Sequence, residues 1–474
     1  MLLVVLVGVA VRAAVLVKMG VPPRWAGDWL VYARVAQNIL RGCGVSLSDP
    51  ASGACVPHFG GNGLPGYPAF VAVVQALFGR SIAVMCLAQI AVASLAPARL
   101  LYGAWRLGGP WVGLAAGLVA AVSPPEAVWV RDGYTEALAL ACAVWWVAEV
   151  ALSLAERRLR VLGVAAPLVV GLFLRLDFVL FLLPTALAGL YLHGVRDALA
   201  RGAAIAVVIA LPIGLWEARN LAEGVSPLPP SRQWMLVDGS VGPLGYLRWV
   251  KTWARTEEQR GQATFFLADD YKRIAIPLSA VRDDAERARV SALVEKLLAQ
   301  SGHPFPRDVD AGFAQIAQER EQAMSLGELI RLRADQAWAL WRLWATPLPG
   351  AYLPYPEASA PLLTGEARWM YRPHDESGVS GFAESGWRFL AAVLFLGALG
   401  VAAVARRSPV RLFAAMAVVF IVAKTVLCVS GLFLEERYTV TVTPLVEFTD
   451  VLAVAWLWDA VRRRRGAVAA YSIR

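Results

Sequence analysis

Long apolar blocks alternate with short polar joints along most of this chain. Residues 2–17, 81–98, 111–129, 135–153, 161–174, 178–192 and 203–219 run almost without charge, and three more blocks, 386–404, 410–430 and 440–458, close it. Such blocks approach the roughly 18–20 residues a helix needs to cross about 30 Å of hydrocarbon. The pattern predicts an all-α polytopic membrane protein, a bundle of about ten transmembrane helices. The block GYPAFVAVVQALFG (66–79) is too short to span and reads as a surface or re-entrant helix feeding the next span. In GDWLVYARVAQNILRGCGVS (27–46) the pattern changes. Trp29, Tyr32, Ala33, Ala36, Ile39 and Leu40 fall on one side of a helix, Arg34, Gln37, Asn38 and Arg41 on the other. That arrangement predicts a helix lying along a membrane surface, starting at Asp28.

Residues 220–385 hold most of the acidic and amide side chains and no block long enough to cross a bilayer. Periodicity predicts helices at 283–300 and 318–344. Trp338, Trp341 and Trp344 recur every third residue at the end of the second, a stripe suited to the membrane interface. The chain therefore divides into an N-terminal module (1–219, first outer loop 18–64), a polar and mostly helical region (220–385), and C-terminal spans with a basic tail (386–474). The first block lacks a basic leader and a clear small-x-small cleavage site, so it reads as a retained anchor. Arg12 inside it is costly in lipid and is expected to face other helices or water.

Composition agrees with a membrane protein. The chain has 474 residues, 58% hydrophobic and 17% charged, with a mean hydropathy of +0.54; soluble domains carry roughly a quarter charged residues. The net charge of +9 is not a nucleic-acid footprint, because the arginines sit in short joints, where they report orientation. A cytoplasmic N-terminus puts Arg99, Arg106, Arg157, Arg158, Arg160, Arg196, Arg201, Arg406, Arg407, Arg411 and the run from Arg462 to Arg465 inside. Both termini are then cytoplasmic, and residues 18–64, 130–134, 220–385 and 431–440 lie outside a plasma (inner) membrane. Cys86, Cys142 and Cys428 lie in apolar blocks, and no cysteine or histidine has metal-ligand spacing. Cys43 and Cys55 share the first outer loop, where a disulfide is permitted but not required.

The expected outer face collects ionisable groups at span ends: Asp28; Asp132 and Glu136 in RDGYTEALAL; Arg175 and Asp177 in GLFLRLDFVLFLLP; Arg219 and Asn220 in WEARN; Glu435, Glu436, Arg437 and Tyr438 in EERYTVTVTP. Each has a structural reading: Asp28 as a helix cap, Glu136 as a first-turn residue favoured by the helix dipole, Arg219 as a snorkelling anchor, Arg437 as partner of Glu435. Charges at membrane depth usually face a cavity, where they pair or bind a ligand, and convergence of several argues for a site. GNGLPG (61–66) matches a dinucleotide pattern, but no strand precedes it, and no nucleic-acid module is present.

The order of these motifs resembles the GT-C superfamily of membrane glycosyltransferases, which includes protein O-mannosyltransferases and the aminoarabinose transferases of lipid A. An acidic residue followed by Tyr and an Ala-rich amphipathic helix ending in a Gly-rich turn is matched by GDWLVYARVAQNILRGCGVS. A Pro-Gly-Tyr-Pro element opening an apolar helix is matched by LPGYPAFVAVVQALFG, which contains Tyr67. TEALALA, LRLD, WEARN and ERYTVTVTP then follow in order. The resemblance covers 1–220 and 386–460 and is weak between them. Where many relatives place a basic residue just before the Pro-Tyr-Pro element, this chain has Asn62 and Gly63, with His58 the nearest candidate.

The resemblance implies a polyprenyl-phosphate-linked sugar donor on the outer leaflet of the lipid bilayer and a protein, lipid or polysaccharide acceptor. Asp28 would act as base toward the acceptor hydroxyl or amine. Arg219, Arg437 and Arg175, with Asn220, Tyr438, His58 and Tyr67, would hold the donor and its phosphate. Glu136 would orient the acceptor, share the base role or help hold a divalent metal, the one cofactor left open. Direct displacement inverts the anomeric centre. Two other readings stand beside this: a membrane ligase or polymerase using a diphosphate-linked glycan, and a transporter without chemistry, for which the internal duplication common in transporters is missing.

Overall fold

The computed structural model describes residues 1–22, 28–53, 55, 64–131, 133–223, 242–264, 267, 271, 274, 276–300, 303–341, 363–364, 379–406, 408–431 and 436–471. Within these, the side chains of Asp28, Pro50, Glu258, Gln262, Glu436, Arg437 and of 363–364, 379–385 and 464–471 lie outside the description. Seventeen α-helices follow in chain order: α1 Leu2–Met19, α2 Asp28–Leu40, α3 Gly66–Phe78, α4 Ile82–Gly108, α5 Pro110–Val122, α6 Pro124–Ala127, α7 Glu136–Ala155, α8 Val161–Leu174, α9 Leu182–Ala222, α10 Leu244–Lys251, α11 Glu257–Thr264, α12 Asp284–Ala299, α13 Arg307–Ala323, α14 Leu326–Leu340, α15 Val379–Val404, α16 Pro409–Gly431 and α17 Thr443–Tyr471. Among the described residues the only strands are the parallel pair Ile276–Pro277 and Leu363–Thr364.

Among the described residues seven helices are long and apolar enough to cross a membrane, or eight if α5 and its continuation Pro124–Val130, bent by 56°, form one broken span. The protein is a multi-pass, all-α membrane protein. Helix α8, expected as a span, has 14 residues, and the expected spans 178–192 and 203–219 both lie within the stretch Leu176–Ala222. That stretch is not straight, however. Gly194 adopts a left-handed φ of 72°, and a Cβ added at Gly189 would lie 3.6 Å from the Cβ of Ala198. Nine residues of straight helix span about 13 Å. The chain therefore doubles back at Gly194, where glycine meets the backbone demand without a Cβ clash.

The break between α5 and α6 explains Arg12. The N–H that would normally donate to the Ala121 carbonyl belongs to position 125, which is proline. Arg12, 1% exposed, donates from Nη1 to that carbonyl at 3.1 Å. As expected, Arg12 faces other helices. At one end of the bundle, Arg99 and Arg160 both pair with the buried Glu149, and His193 Nε2 accepts from the Leu159 N–H at 3.0 Å.

The polar region has its own core, in which Tyr246, Trp249 and Phe313 stack with ring centroids 4.9 Å apart for both Tyr246–Phe313 and Trp249–Phe313. The expected helix 283–300 is present as α12, capped by Asp283. The expected helix 318–344 is corrected: it is two helices, α13 and α14, separated by a capping box in which Ser325 and Glu328 each bond the other's backbone N–H. That motif satisfies free N–H groups and so starts a new helix rather than continuing one. The residues of the Trp stripe part company. Trp341 donates to Thr425 Oγ1 of α16 at 2.7 Å, docking the polar region on the bundle. Trp338 is exposed, and Trp344 lies outside the described residues.

Candidate functional site

Helix starts and ends place the site. Glu136 opens α7, and Arg175 follows the last residue of α8 in extended conformation. Both are buried, Glu136 at 1% and Arg175 at 8% exposure. Arg175 Nη1 meets Glu136 Oε1 at 2.6 Å, and its Nη2 meets Asp177 Oδ2 at 3.2 Å. Lys424 of α16 pairs with the same Asp177 oxygen. The Tyr438 ring lies 5.2 Å from the Arg175 guanidinium carbon, within cation–π range. Two carboxylates and two cations thus neutralise each other, which is the condition for leaving charges in an apolar interior. Burial works against the charge of Arg175, but Asp177 and Glu136 more than offset it and hold the guanidinium ionised.

The first loop and α3 close on this cluster from the side. A Cβ added at Gly133 would run into the Trp29 indole, so the start of α2, where Asp28 sits, rests on the turn just before Glu136. A Cβ added at Gly66 would come within 2.6 Å of the Phe173 carbonyl oxygen; the start of α3 is therefore pressed against the end of α8, two residues from Arg175. Tyr67 between them is fully buried. Its hydroxyl donates to Gln89 Oε1 at 2.9 Å, Gln89 Nε2 donates to the Val130 carbonyl at 3.0 Å, and its ring meets Tyr32 edge-on at 5.0 Å. Arg131 Nε donates to the Gly20 carbonyl at 2.9 Å.

Arg219 forms a second group. Its Nη2 lies 3.3 Å from where a Cβ would stand on Gly44, which has a φ of 65°; any side chain there would be strained and crowd the guanidinium. Nη1 donates to Asn220 Oδ1 at 3.2 Å. Asn220 is fully buried, and among the described residues its Nδ2 has no hydrogen-bond partner. Among the described residues Arg219 has no carboxylate partner within ion-pair distance, in contrast to Arg175. The Gly44 turn is held by a disulfide between Cys43 and Cys55 and by Asn38, whose Nδ2 donates to the carbonyls of Ser46 at 2.6 Å and Ser48 at 3.0 Å.

The sequence-predicted residues are thus distributed unevenly. Glu136, Arg175 and Tyr438 come together. Arg219 and Asn220 stand at the Gly44 turn, and Tyr67 braces α3 on α4 with its hydroxyl committed to Gln89. The side chains of Asp28 and Arg437, and all of His58, Asp132 and Glu435, lie outside the described residues. Along α2 the expected apolar residues Trp29, Tyr32, Ala33 and Ala36 are buried, but two positions depart from the expected sides: Leu40 is 48% exposed, and Asn38, assigned to the polar side, is fully buried. Asn38 is drawn in by its bonds to the Ser46–Ser48 turn.

Sequence reasoning missed Lys424. It is the single charge between residues 412 and 431, and an ionisable group alone in an apolar block needs an internal partner. That signal was available. Among the described residues no group of three or more metal-ligating side chains occurs, and Glu136 Oε1 pairs with Arg175. No family of proteins, no curated protein and no solved structure matches this chain.

Proposed function

We propose that this protein is an integral-membrane glycosyltransferase of the GT-C type, moving a sugar from a polyprenyl-phosphate donor to an acceptor hydroxyl or amine on the extracytoplasmic face. The observation that carries the reading is the packing of Trp29 on Gly133. It sets the Asp28 end of α2 beside the buried Glu136–Arg175 pair, so two motifs over a hundred residues apart in sequence share one corner of the bundle. A transferase acting on a lipid-borne donor needs such a corner, at the edge of the apolar bundle.

In this reading the Asp28 carboxylate takes the proton of the acceptor as its oxygen or nitrogen attacks the anomeric carbon. The bond from that carbon to the phosphate oxygen breaks, polyprenyl phosphate leaves with the electron pair, and the sugar inverts. Arg219, over the Trp216 ring and without a carboxylate partner among the described residues, is the cation suited to the leaving phosphate, since arginine offers a planar fork of donors to phosphate oxygens. Arg175 has its charge already matched by Glu136 and Asp177. Its role is to brace the turn carrying Glu136, and no step is routed through a metal.

Two measurements test this. Mass spectrometry of lipids co-purifying with the protein is expected to reveal a polyprenyl phosphate sugar and to identify the sugar. Asp28→Asn is expected to abolish transfer while the protein stays folded and membrane-inserted; full transfer by that variant would exclude the base role. Movement of solute across vesicles with no release of polyprenyl phosphate would replace the reading with a transporter.

A further inference from the structure

A second buried polar cluster lies elsewhere in the bundle, where α1, α6, α15 and α17 meet, and it takes no part in the proposed transfer. Glu126 is 2% exposed, Glu447 4% and Asp450 6%. Glu447 and Asp450 are three residues apart on α17 and share a face. Ser123 ties the two sides together: its carbonyl accepts from the Glu126 N–H at 3.1 Å, and its hydroxyl donates to Glu447 Oε1 at 2.6 Å. Trp387 Nε1 of α15 donates to the same oxygen at 2.7 Å. Arg12 of α1 stands 3.6 Å from Glu126 Oε2.

The charges do not balance. Arg12 is the only described cation in ion-pair contact with any of the three carboxylates. Helix α5 carries no charged residue. Helices α7 and α16 present Glu136 and Lys424 to Arg175 and Asp177 instead, and α15 contributes the Trp387 indole, with Arg388 the next residue along. One guanidinium compensates one carboxylate. Two more ionised carboxylates in this interior would each cost several kcal/mol. Charge contact indicates which group is matched: Arg12 stands beside Glu126, and no described cation is within ion-pair distance of Glu447 or Asp450. Among the described residues Glu126 Oε1, Glu447 Oε2 and Asp450 Oδ1 all lack a hydrogen-bond partner, while Glu447 Oε1 takes both donors. A protonated Glu447 fits that arrangement, with a carbonyl oxygen accepting two bonds and a hydroxyl oxygen carrying the proton.

We propose that Glu447 and Asp450 form a proton-binding site inside the membrane bundle, both holding their protons at neutral pH beside the Arg12–Glu126 ion pair. The ligand is the proton. Such a site has a characteristic reactivity: a protonated carboxyl in apolar surroundings adds across a C=N bond of a hydrophobic carbodiimide. The acid oxygen bonds to the central carbon, the acid proton moves to nitrogen, and the adduct rearranges to a stable N-acylurea. This site stands independently of the transferase reading, and its test has no activity readout.

The full-length protein in nanodiscs is compared with Glu447→Gln/Asp450→Asn by infrared spectroscopy and by treatment with dicyclohexylcarbodiimide followed by peptide mass spectrometry. The wild type is expected to show a protonated-carboxyl stretch that the double variant lacks, and adducts on the peptide holding Glu447 and Asp450 at neutral pH. The two single variants should each lose part of that stretch, which keeps the test valid if the double variant does not fold. Identical carboxyl spectra for the wild type and the folded variants, with no adduct on this peptide, would overturn the proposal. Protection from the carbodiimide by sodium but not by choline would also overturn it, since the site would then bind a metal cation in place of protons.

Discussion

Removing Arg175 is the sharpest test of how the bundle tolerates charge at the candidate site. Arg175→Met keeps the length and packing of the stem but takes away the one cation in ion-pair contact with Glu136. Asp177 retains Lys424, so a single carboxylate, 1% exposed, is left uncompensated. Breaking a buried pair in this way costs about 3–5 kcal/mol. Glu136→Gln is milder, because the amide oxygen still accepts from Arg175, although Asp177 is then left to offset both Arg175 and Lys424; the loss expected is about 2–3 kcal/mol. Combining the two changes removes donor and acceptor together, so the double variant should be more stable than Arg175→Met alone, with a coupling of about 2–3 kcal/mol. The assay is equilibrium unfolding in mixed micelles titrated with a denaturing detergent. A loss below about 1 kcal/mol for Arg175→Met, or a double variant less stable than either single one, would refute the account of Glu136 and Arg175 as a mutually dependent buried pair.

Other expectations follow from single contacts. Lys424→Met leaves Arg175 alone between two carboxylates and should lower stability by about 2 kcal/mol in the same unfolding assay; no loss would mean Asp177 does not rely on it. Gly133→Ala puts a methyl group into the Trp29 ring, so α2 must shift; a cross-linker or spin-label distance from α2 to the start of α7 should lengthen, and any transferase activity should fall at least ten-fold. Under denaturation without reductant, an alkylating reagent should label Cys86, Cys142 and Cys428 only, with Cys43 and Cys55 becoming reactive after reduction. Trp341→Phe removes the bond to Thr425 and should cost about 1 kcal/mol, read as earlier proteolysis of the polar region.

Much of the architecture could be read from the chain alone. Apolar block length determines which segments can cross hydrocarbon, because no other structure satisfies the backbone there. The starts of α4, α7 and α12 fall within about two residues of the expected ones. The block pattern placed a joint between 192 and 203, but not the residue at which the chain reverses, because the turn at Gly194 depends on a left-handed residue and on Gly189 fitting against Ala198. The Ser325–Glu328 capping box was visible in sequence but was masked by continuous helical periodicity across it.

The residue types at the site were likewise set by sequence: ionisable groups flanking apolar blocks must find partners or water. Which partners they find is a property of the tertiary structure. Glu136 and Arg175 lie 39 residues apart in the chain, and Asp177 and Lys424 lie 247 apart. A one-dimensional pattern carries no term for such distant contacts. The same holds for Arg12, which sequence marked as costly and turned toward other helices or water without naming a partner. Packing against the proline break gave it the Ala121 carbonyl to satisfy, together with a carboxylate to neutralise. Burial energy acts on each side chain through its immediate neighbours, and for these charges the neighbours come from other helices.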